Sequence, residues 1–350
     1  SPYLAHDAEG SIQEARRLWK AVARENVMIK IPGTPEGLPA IQQLISEGIN
    51  INITLLFSQK VYVQVTEAYL AGLEKFAGSG GDVSRMASVA SFFISRIDTL
   101  ADSEIETHLK KAKDAREQAQ LKSLLGKVAI ANGKQTYQLY QSIFSSARWK
   151  NLASQGAQTQ RVLWASTSTK NPAYRDVLYV EELIGPDTVN TIPPATIDAF
   201  RDHGHIRQSL TEDVESARET METLAKVGIS IDEITSKLTE DGVRLFEEAF
   251  DKLLQAVEKS TKSETSPKVN RQTYKLPETL TASVKHHIED WRAGGKVRRL
   301  WQRDASLWTG TDEANWLGWL SITEEEIEQV EKLRRTAEVI KKEGFRDVLV

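Results

Sequence analysis

The sequence has no cysteine among its 350 residues, which excludes disulfides, thiolate nucleophiles and cysteine-ligated metals. It also lacks a basic excess, since 45 Lys and Arg stand against 49 Asp and Glu for a formal net charge of -4. Nucleic-acid-binding proteins usually carry a clear positive excess. No apolar run approaches the ~18 residues of a membrane span. We therefore expect a globular, cytoplasmic protein that binds neither nucleic acid nor membrane.

Short apolar runs alternate with longer amphipathic stretches over the first 200 residues. The predicted strands lie at residues 27–31, 49–57, 86–94, 161–165 and 188–192. Strand followed by helix, repeated about five times, indicates parallel strands with right-handed crossovers. Two architectures fit this pattern: an eight-stranded barrel that lacks its first strands, and a doubly wound sheet.

Several boundaries can be predicted from capping residues and composition. A capping-box pattern places the start of the first helix at Ser11, and another places a late helix at Thr323. A single helix is expected over 102–124. Residues 258–275 are polar and predict a linker, after which the composition changes, because five of the eight tryptophans lie between 291 and 319. The predicted limits are 1–262 for the first domain, 263–275 for the linker and 276–350 for a second module.

Both ends of the chain suggest a longer parent. The chain opens with Ser1 rather than Met, and residues 347–350 (DVLV) have the composition of a strand with no partner. We expect the chain to be the middle portion of a longer polypeptide.

Lys30 is the sharpest chemical feature of the sequence. It lies within residues 28–31 (MIKI), a strand short enough to be buried between helices. Burial would lower the pKa of its ammonium group, and a neutral lysine can form a Schiff base with a ketone or aldehyde. The alternative is an edge-strand lysine whose stem packs against the protein while its head reaches water.

Polar side chains also alternate along the next strand. Asn50, Asn52 and Thr54 share one face, while isoleucines and Leu55 share the other. Because both faces of a strand in such a fold are usually apolar, the polar face indicates either a site or side chains that hydrogen-bond to neighbouring strands.

Two further segments could hold an anion. Arg96 ends the run 91–96 (SFFISR), where a guanidinium suits a phosphate or carboxylate, although an ion pair with Asp98 is the simpler reading. Residues 165–172 (ASTSTKNP) follow a strand and offer hydroxyls, backbone amides and Lys170. An ordinary polar loop is the alternative. His203 and His205 have no third ligand nearby in sequence, so no metal site is expected.

Together these segments resemble the transaldolase family. The resemblance rests on residues 28–34 (MIKIPGT), 48–58 (GININITLLFS), 163–172 (LWASTSTKNP) and 187–193 (DTVNTIP), and covers about residues 1–260. It implies a (β/α)8 barrel that works without a metal or cofactor. It also implies a class I aldolase mechanism, in which a lysine imine carries a dihydroxyacetone unit between sugar phosphates of the pentose phosphate pathway. The donor would be sedoheptulose 7-phosphate or fructose 6-phosphate, and the acceptor glyceraldehyde 3-phosphate or erythrose 4-phosphate.

The resemblance assigns a role to each matching residue. Lys30 corresponds to the Schiff-base lysine, and Thr54 to the residue that holds the proton-transfer water. The expected substrate contacts are Asn52, Ser91, Phe93, Arg96, Ser166 and Lys170. Among these, Phe93 would shield the intermediate, and Arg96 and Ser166 would bind phosphate. Ser168 stands where the family often has an arginine, and Lys170 is the candidate substitute.

The resemblance also implies partners outside the chain. The family's catalytic aspartate and glutamate would precede Ser1, so the alternative function is a non-catalytic, sugar-phosphate-binding fragment. Residues 275–350 resemble the segment that joins transaldolase to glucose-6-phosphate isomerase in bacterial fusion proteins. This second resemblance implies packing against a C-terminal isomerase domain.

Overall fold

A computed structural model describes residues 1–262 and 275–344 of the chain. The chain divides into two compact units, Ser1–Lys262 and Ser263–Val350. Residues 263–274 of the predicted linker and the predicted strand at 347–350 lie outside the described residues.

The first unit alternates strands and helices up to residue 203 and is helical beyond it. Its strands are β1 (Ile29–Pro32), β2 (Ile51–Leu56), β3 (Ser88–Phe93), β4 (Arg161–Ala165) and β5 (Thr188–Asn190). Its helices are α1 (Ala8–Val22), α2 (Gly37–Ile45), α3 (Gln59–Gly78), α4 (Ser95–Lys111), α5 (Ala115–Leu124), α6 (Val128–Ile143), α7 (Ala147–Ala153), α8 (Leu178–Glu181), α9 (Pro194–His203), α10 (Val214–Lys226) and α11 (Ile231–Lys262).

The five strands form one parallel sheet in the order β1-β2-β3-β4-β5. A doubly wound sheet reverses its strand order at a switch point, whereas here every strand lies beside its predecessor. The doubly wound alternative is therefore excluded, and the sheet has the strand order of a (β/α)8 barrel wall.

The two faces of the sheet differ in chemistry. On one face the side chains are apolar and almost completely buried, as Ile51, Ile53, Phe92 and Trp164 show with 0% exposure each. The opposite face carries Lys30 and its register partner Asn52. The core therefore lies between the sheet and its helices, and the polar groups are left on the inner face of the wall.

Four predicted boundaries are wrong. The first helix begins at Ala8 because Asp7, not Ser11, caps it by accepting a hydrogen bond from Gly10 N at 2.9 Å. The helix predicted over 102–124 is two helices, and α4 starts at Ser95, directly after β3. Residues 258–262 of the predicted linker continue α11. The late helix begins at Ile322, and Thr323 lies inside it without capping it.

The second unit is helical where it is described. It contains α12 (Glu278–Ala293), α13 (Lys296–Trp301), α14 (Ile322–Glu328) and α15 (Val330–Lys342), with short 3-10 turns between α13 and α14. Leu317 and Leu320 are buried, while Trp316 is 73% exposed. In neither described range is there a helix long and apolar enough to cross a membrane.

Candidate active site

Lys30 projects from β1 between two buried isoleucines. The predicted burial of its side chain is wrong: β1 is an edge of the described sheet, and the side chain is exposed. It nevertheless lines a cavity of about 220 Å³, with Thr54, Leu55 and Phe246 among the other lining residues. The Phe246 ring centroid lies 5.8 Å from Lys30 Nζ. These neighbours remove part of the water around the ammonium, and this desolvation lowers the pKa of Lys30.

No carboxylate lines this cavity in the described part of the chain. The amine also makes no hydrogen bond or ion pair with a described residue. No described carboxylate therefore stabilises the charged amine, which favours the neutral form that a nucleophilic lysine needs.

Asn52 and Ser91 form a pair beside Lys30. Asn52 is the register partner of Lys30 on β2, and Ser91 Oγ donates a hydrogen bond to Asn52 Oδ1 at 2.7 Å. This contact fixes the orientation of the amide and leaves its Nδ2 without a partner among the described residues. The pair therefore presents a hydrogen-bond donor on the strand next to that of Lys30.

Asn50 belongs to the loops rather than to the site. Its Nδ2 donates to Glu25 O at 3.0 Å, and its Oδ1 accepts from Ala87 N at 2.8 Å. These bonds tie together the loops that precede β1 and β3. Asn50 therefore hydrogen-bonds to neighbouring segments of the chain, which was the alternative to a role in the site.

Thr54 and Leu55 interrupt the regular alternation of β2. Leu55 has a φ of 60°, and the pairing with β3 shifts between Ile53 and Leu56. This bulge brings Thr54 and Leu55 into the wall of the same cavity. Leu55 was predicted on the opposite face, and the bulge is the reason that this prediction is wrong. Thr54 is only 6% exposed, and its Oγ1 makes no hydrogen bond with a described residue.

Arg96 lies in the first turn of α4, where its guanidinium sits over the ring of Phe93 at 5.3 Å from the ring centroid. Phe93 packs on Phe57 in turn, with ring centroids 5.3 Å apart. The simpler alternative for Arg96, an ion pair with Asp98, is absent: Arg96 pairs with no carboxylate in the described ranges. Desolvation lowers the pKa of the guanidinium, and the group is left half-buried and free to bind an anion.

Ser166 joins the loop after β4 to the start of α4. Ser166 Oγ lies 2.9 Å from Ser95 Oγ, and its carbonyl accepts from Ser95 N at 3.0 Å. Its φ of 57° is the left-handed conformation, which favours glycine. Ser166 is thereby held against Ser95, the residue that precedes Arg96 in the chain, so a phosphate at the N-terminus of α4 could meet both Ser166 and Arg96.

Lys170 lies apart from that pair. It is exposed, its Nζ donates to Ser168 Oγ at 2.8 Å, and it lines a separate cavity of about 220 Å³ with Asp98 and Asp102. The described contacts do not bring it to Ser166 or Arg96. Nor do the described ranges contain a group of three or more His, Asp or Glu side chains placed to hold a metal ion.

Comparison with known proteins decides the family. The model of the family described as transaldolase/fructose-6-phosphate aldolase matches residues 1–257. The chain belongs to the transaldolase family. A transaldolase of Trichodesmium erythraeum is 51% identical over 266 residues, which is 75% of this chain and 70% of the relative. Transaldolase 2 of Nostoc punctiforme is 51% identical over 264 residues, covering 75% and 69%, and a transaldolase of Saccharopolyspora erythraea is 45% identical over 257 residues, covering 73% and 68%.

Two neighbours of the candidate site were missed in the sequence. Ser95 lies in the run 91–96, but its contact with Ser166 arises because α4 begins at Ser95, and the sequence did not predict that start. Phe246 comes from α11, more than 200 residues from Lys30, and no local pattern links the two. Gly242 allows that helix to approach, since a Cβ there would lie 2.8 Å from Leu55 Cδ2.

Proposed function

We propose that the chain carries the transaldolase reaction through Lys30. The reaction moves a dihydroxyacetone unit from fructose 6-phosphate or sedoheptulose 7-phosphate to an aldose phosphate such as glyceraldehyde 3-phosphate or erythrose 4-phosphate. The observation that supports this most strongly is an amine of lowered pKa, unpaired, in a cavity beside the Asn52–Ser91 pair.

The chemistry begins at the amine. Neutral Lys30 Nζ attacks the ketose C2 carbonyl, and loss of water gives an iminium ion. Cleavage of the C3–C4 bond sends its electron pair toward the iminium nitrogen, while the C4 hydroxyl loses its proton and the aldose leaves. The three-carbon enamine then attacks the carbonyl carbon of the acceptor, and hydrolysis returns the free lysine. The protonated nitrogen accepts electrons that a neutral carbonyl in water could not hold.

The neighbours of Lys30 orient this intermediate. The free Nδ2 of Asn52 donates to a substrate hydroxyl, and its carbonyl is already occupied by Ser91. Thr54 lines the same cavity, and we assign to it the water that carries protons once substrate is bound. Phe93 closes the wall against bulk water. At the other end of the sugar, Arg96 and Ser166 bind the phosphate, with Lys170 as a more distant cation.

Proton transfer is the step that the cavity supports least, since no described carboxylate lines it. This observation favours the second candidate, a fragment that binds sugar phosphates and forms the imine without turnover. A coupled assay distinguishes the two. Fructose 6-phosphate and erythrose 4-phosphate are supplied, and glyceraldehyde 3-phosphate is followed, for this chain and for a chain extended upstream of Ser1.

Turnover by either chain that disappears in Lys30→Arg supports the transaldolase proposal, because arginine keeps the charge and cannot form the imine. Turnover by the extended chain alone assigns the second candidate to this chain. Turnover that survives Lys30→Arg would contradict both.

We also propose that residues 276–350 form the start of an isomerase-like module in a cytoplasmic enzyme. The resemblance noted above supports this, as does the exposure of Trp301, Trp316 and Trp319, which suits packing against a further domain. Added glucose-6-phosphate isomerase domain should shift tryptophan emission to the blue. An unchanged spectrum together with no complex on gel filtration would contradict the proposal.

A further inference from the structure

Two buried carboxylates on α4 are not used by the proposed reaction. Asp98 is 1% exposed and Asp102 is 8% exposed, and because they are four residues apart on a helix they share one face. They lie two and six residues beyond Arg96, so they belong to the same helix as the candidate phosphate ligand. Burying two carboxylates is costly unless each is well hydrogen-bonded.

Each carboxylate joins two other segments of the chain. Asp98 accepts from Ala129 N at 2.7 Å and from the hydroxyl of Tyr179 at 2.9 Å. Asp102 accepts from Gly126 N at 3.1 Å and from the hydroxyl of Tyr174 at 2.7 Å. α4 is thus tied to the start of α6 and to the segment that holds the tyrosines.

The tyrosine segment continues the loop that follows β4. Tyr174 N donates to Asn171 O at 3.1 Å, and Thr169 Oγ1 donates to Arg175 O at 2.8 Å. These bonds close residues 169–175 into a turn that is part of the loop. The ring of Tyr174 lies against Gly126, where a Cβ would come within 2.8 Å of it. The position of the ring is therefore set by close packing as well as by the carboxylate.

The loop is consequently held to α4 at both ends. At its beginning Ser166 bonds to Ser95, beside Arg96. At its far end the two tyrosines bond to the two aspartates. A phosphate bound by Arg96 and Ser166 would contact both α4 and the loop. Its affinity therefore depends on how rigidly the distance between α4 and the loop is fixed.

We propose that Asp98 and Asp102 are positioning residues for phosphate binding: through Tyr179 and Tyr174 they fix the loop that carries Ser166 against the helix that carries Arg96. The inference rests on the proposed function, because it takes Arg96 and Ser166 as ligands of the substrate phosphate. It adds the groups that hold these ligands in register, none of which touches the substrate.

The test removes only the hydroxyls, in the full 350-residue chain. Tyr174→Phe, Tyr179→Phe and the double variant are compared with Tyr69→Phe, which loses a buried hydroxyl that donates to Gln158 O at 2.7 Å, away from the loop. Two quantities are measured. The first is the dissociation constant of fructose 6-phosphate by calorimetry, and the second is the rate at which borohydride traps dihydroxyacetone, which has no phosphate, on Lys30.

We expect the double variant to bind fructose 6-phosphate about tenfold more weakly, while its trapping rate with dihydroxyacetone stays within about twofold of the parent chain. Tyr69→Phe should change neither quantity. Restoring one tyrosine should restore part of the affinity.

Parent-like affinity in the double variant would overturn the inference, as would an equal loss in Tyr69→Phe or a parent chain that binds no sugar phosphate. Failure of the parent chain to trap dihydroxyacetone would instead refute the proposed function of Lys30. The affinity series would still report on the loop in that case, so the two failures are distinguishable.

Discussion

Replacing Thr54 by valine should make the protein more stable and less active at the same time. The Thr54 side chain is 6% exposed, and its hydroxyl is buried without a hydrogen bond to a described residue. Such a group costs about 1–3 kcal/mol in desolvation. Valine has the same shape and branching, so it keeps the strand geometry and buries a methyl group instead. We expect the free energy of unfolding to rise by about 1–2 kcal/mol.

The functional effect of Thr54→Val follows from the same hydroxyl. Because we assign to this hydroxyl the water that carries protons once substrate is bound, its loss should lower kcat by about two orders of magnitude, within the usual range for general acid–base assistance. The assay is the coupled transaldolase assay on whichever chain, parent or extended, shows turnover. Urea unfolding, followed by circular dichroism, gives the stability.

Thr66→Val is the matched control for this experiment. Thr66 is completely buried on α3, but its Oγ1 donates to Tyr62 O at 2.9 Å. The control should therefore lose about 1 kcal/mol of stability and keep its turnover. A Thr54→Val protein that is no more stable than the parent, or that turns over at the parent rate, would refute the reasoning.

Three further predictions concern pH and backbone strain. Burial raises the pKa of Asp98 to about 7, against about 3.9 in an unfolded chain, so the folded state holds the extra proton and stability falls as the pH rises between these values. Asp98 faces Asp102 and Tyr179, and Lys170 lines the adjoining cavity. In urea unfolding, the stability of Asp98→Asn relative to the parent should rise by about 2 kcal/mol between pH 5 and pH 7. Parallel profiles of unfolding free energy against pH would contradict this. Ser166→Gly should be about 1 kcal/mol more stable than Ser166→Ala, because both lose the hydroxyl but only glycine suits a φ of 57°; equal unfolding midpoints would argue against strain at this position. The rate of borohydride trapping on Lys30 should reach half its maximum below the ~10.4 of a free lysine, since desolvation lowers its pKa, and a midpoint at or above that value would contradict the assigned cause.

The sequence predicted what depends on local patterns. Five strands, their parallel pairing and the polar inner face of β2 follow from alternation and from the strand–helix repeat, and β4 was predicted at its observed limits, Arg161–Ala165. The family resemblance, which rests on contiguous motifs around Lys30 and Ser166, is confirmed by the family match over residues 1–257.

Features that depend on distant partners could not be predicted in this way. The exposure of Lys30 depends on which strands flank β1 in the described sheet, and the run 28–31 alone left a buried and an edge-strand lysine as alternatives. Leu55 leaves its expected face because of a bulge, and Gly242 from the distant α11 packs against it. Arg96 lies in the first turn of α4 because this helix begins at Ser95. The sequence did not predict that start, since the preceding residue, Ile94, has no side chain that can cap a helix.

The central claim is that Lys30 is the nucleophile, and chemical trapping tests it most directly. The parent chain and Lys30→Ala are incubated with fructose 6-phosphate, reduced with borohydride, digested and mapped by peptide mass. The account predicts an adduct on the peptide that contains Lys30, and no adduct in the variant. A three-carbon adduct would show that the sugar had been cleaved, and a six-carbon adduct that the imine forms without cleavage. An adduct on another lysine, or equal labelling of Lys30→Ala, would contradict the account.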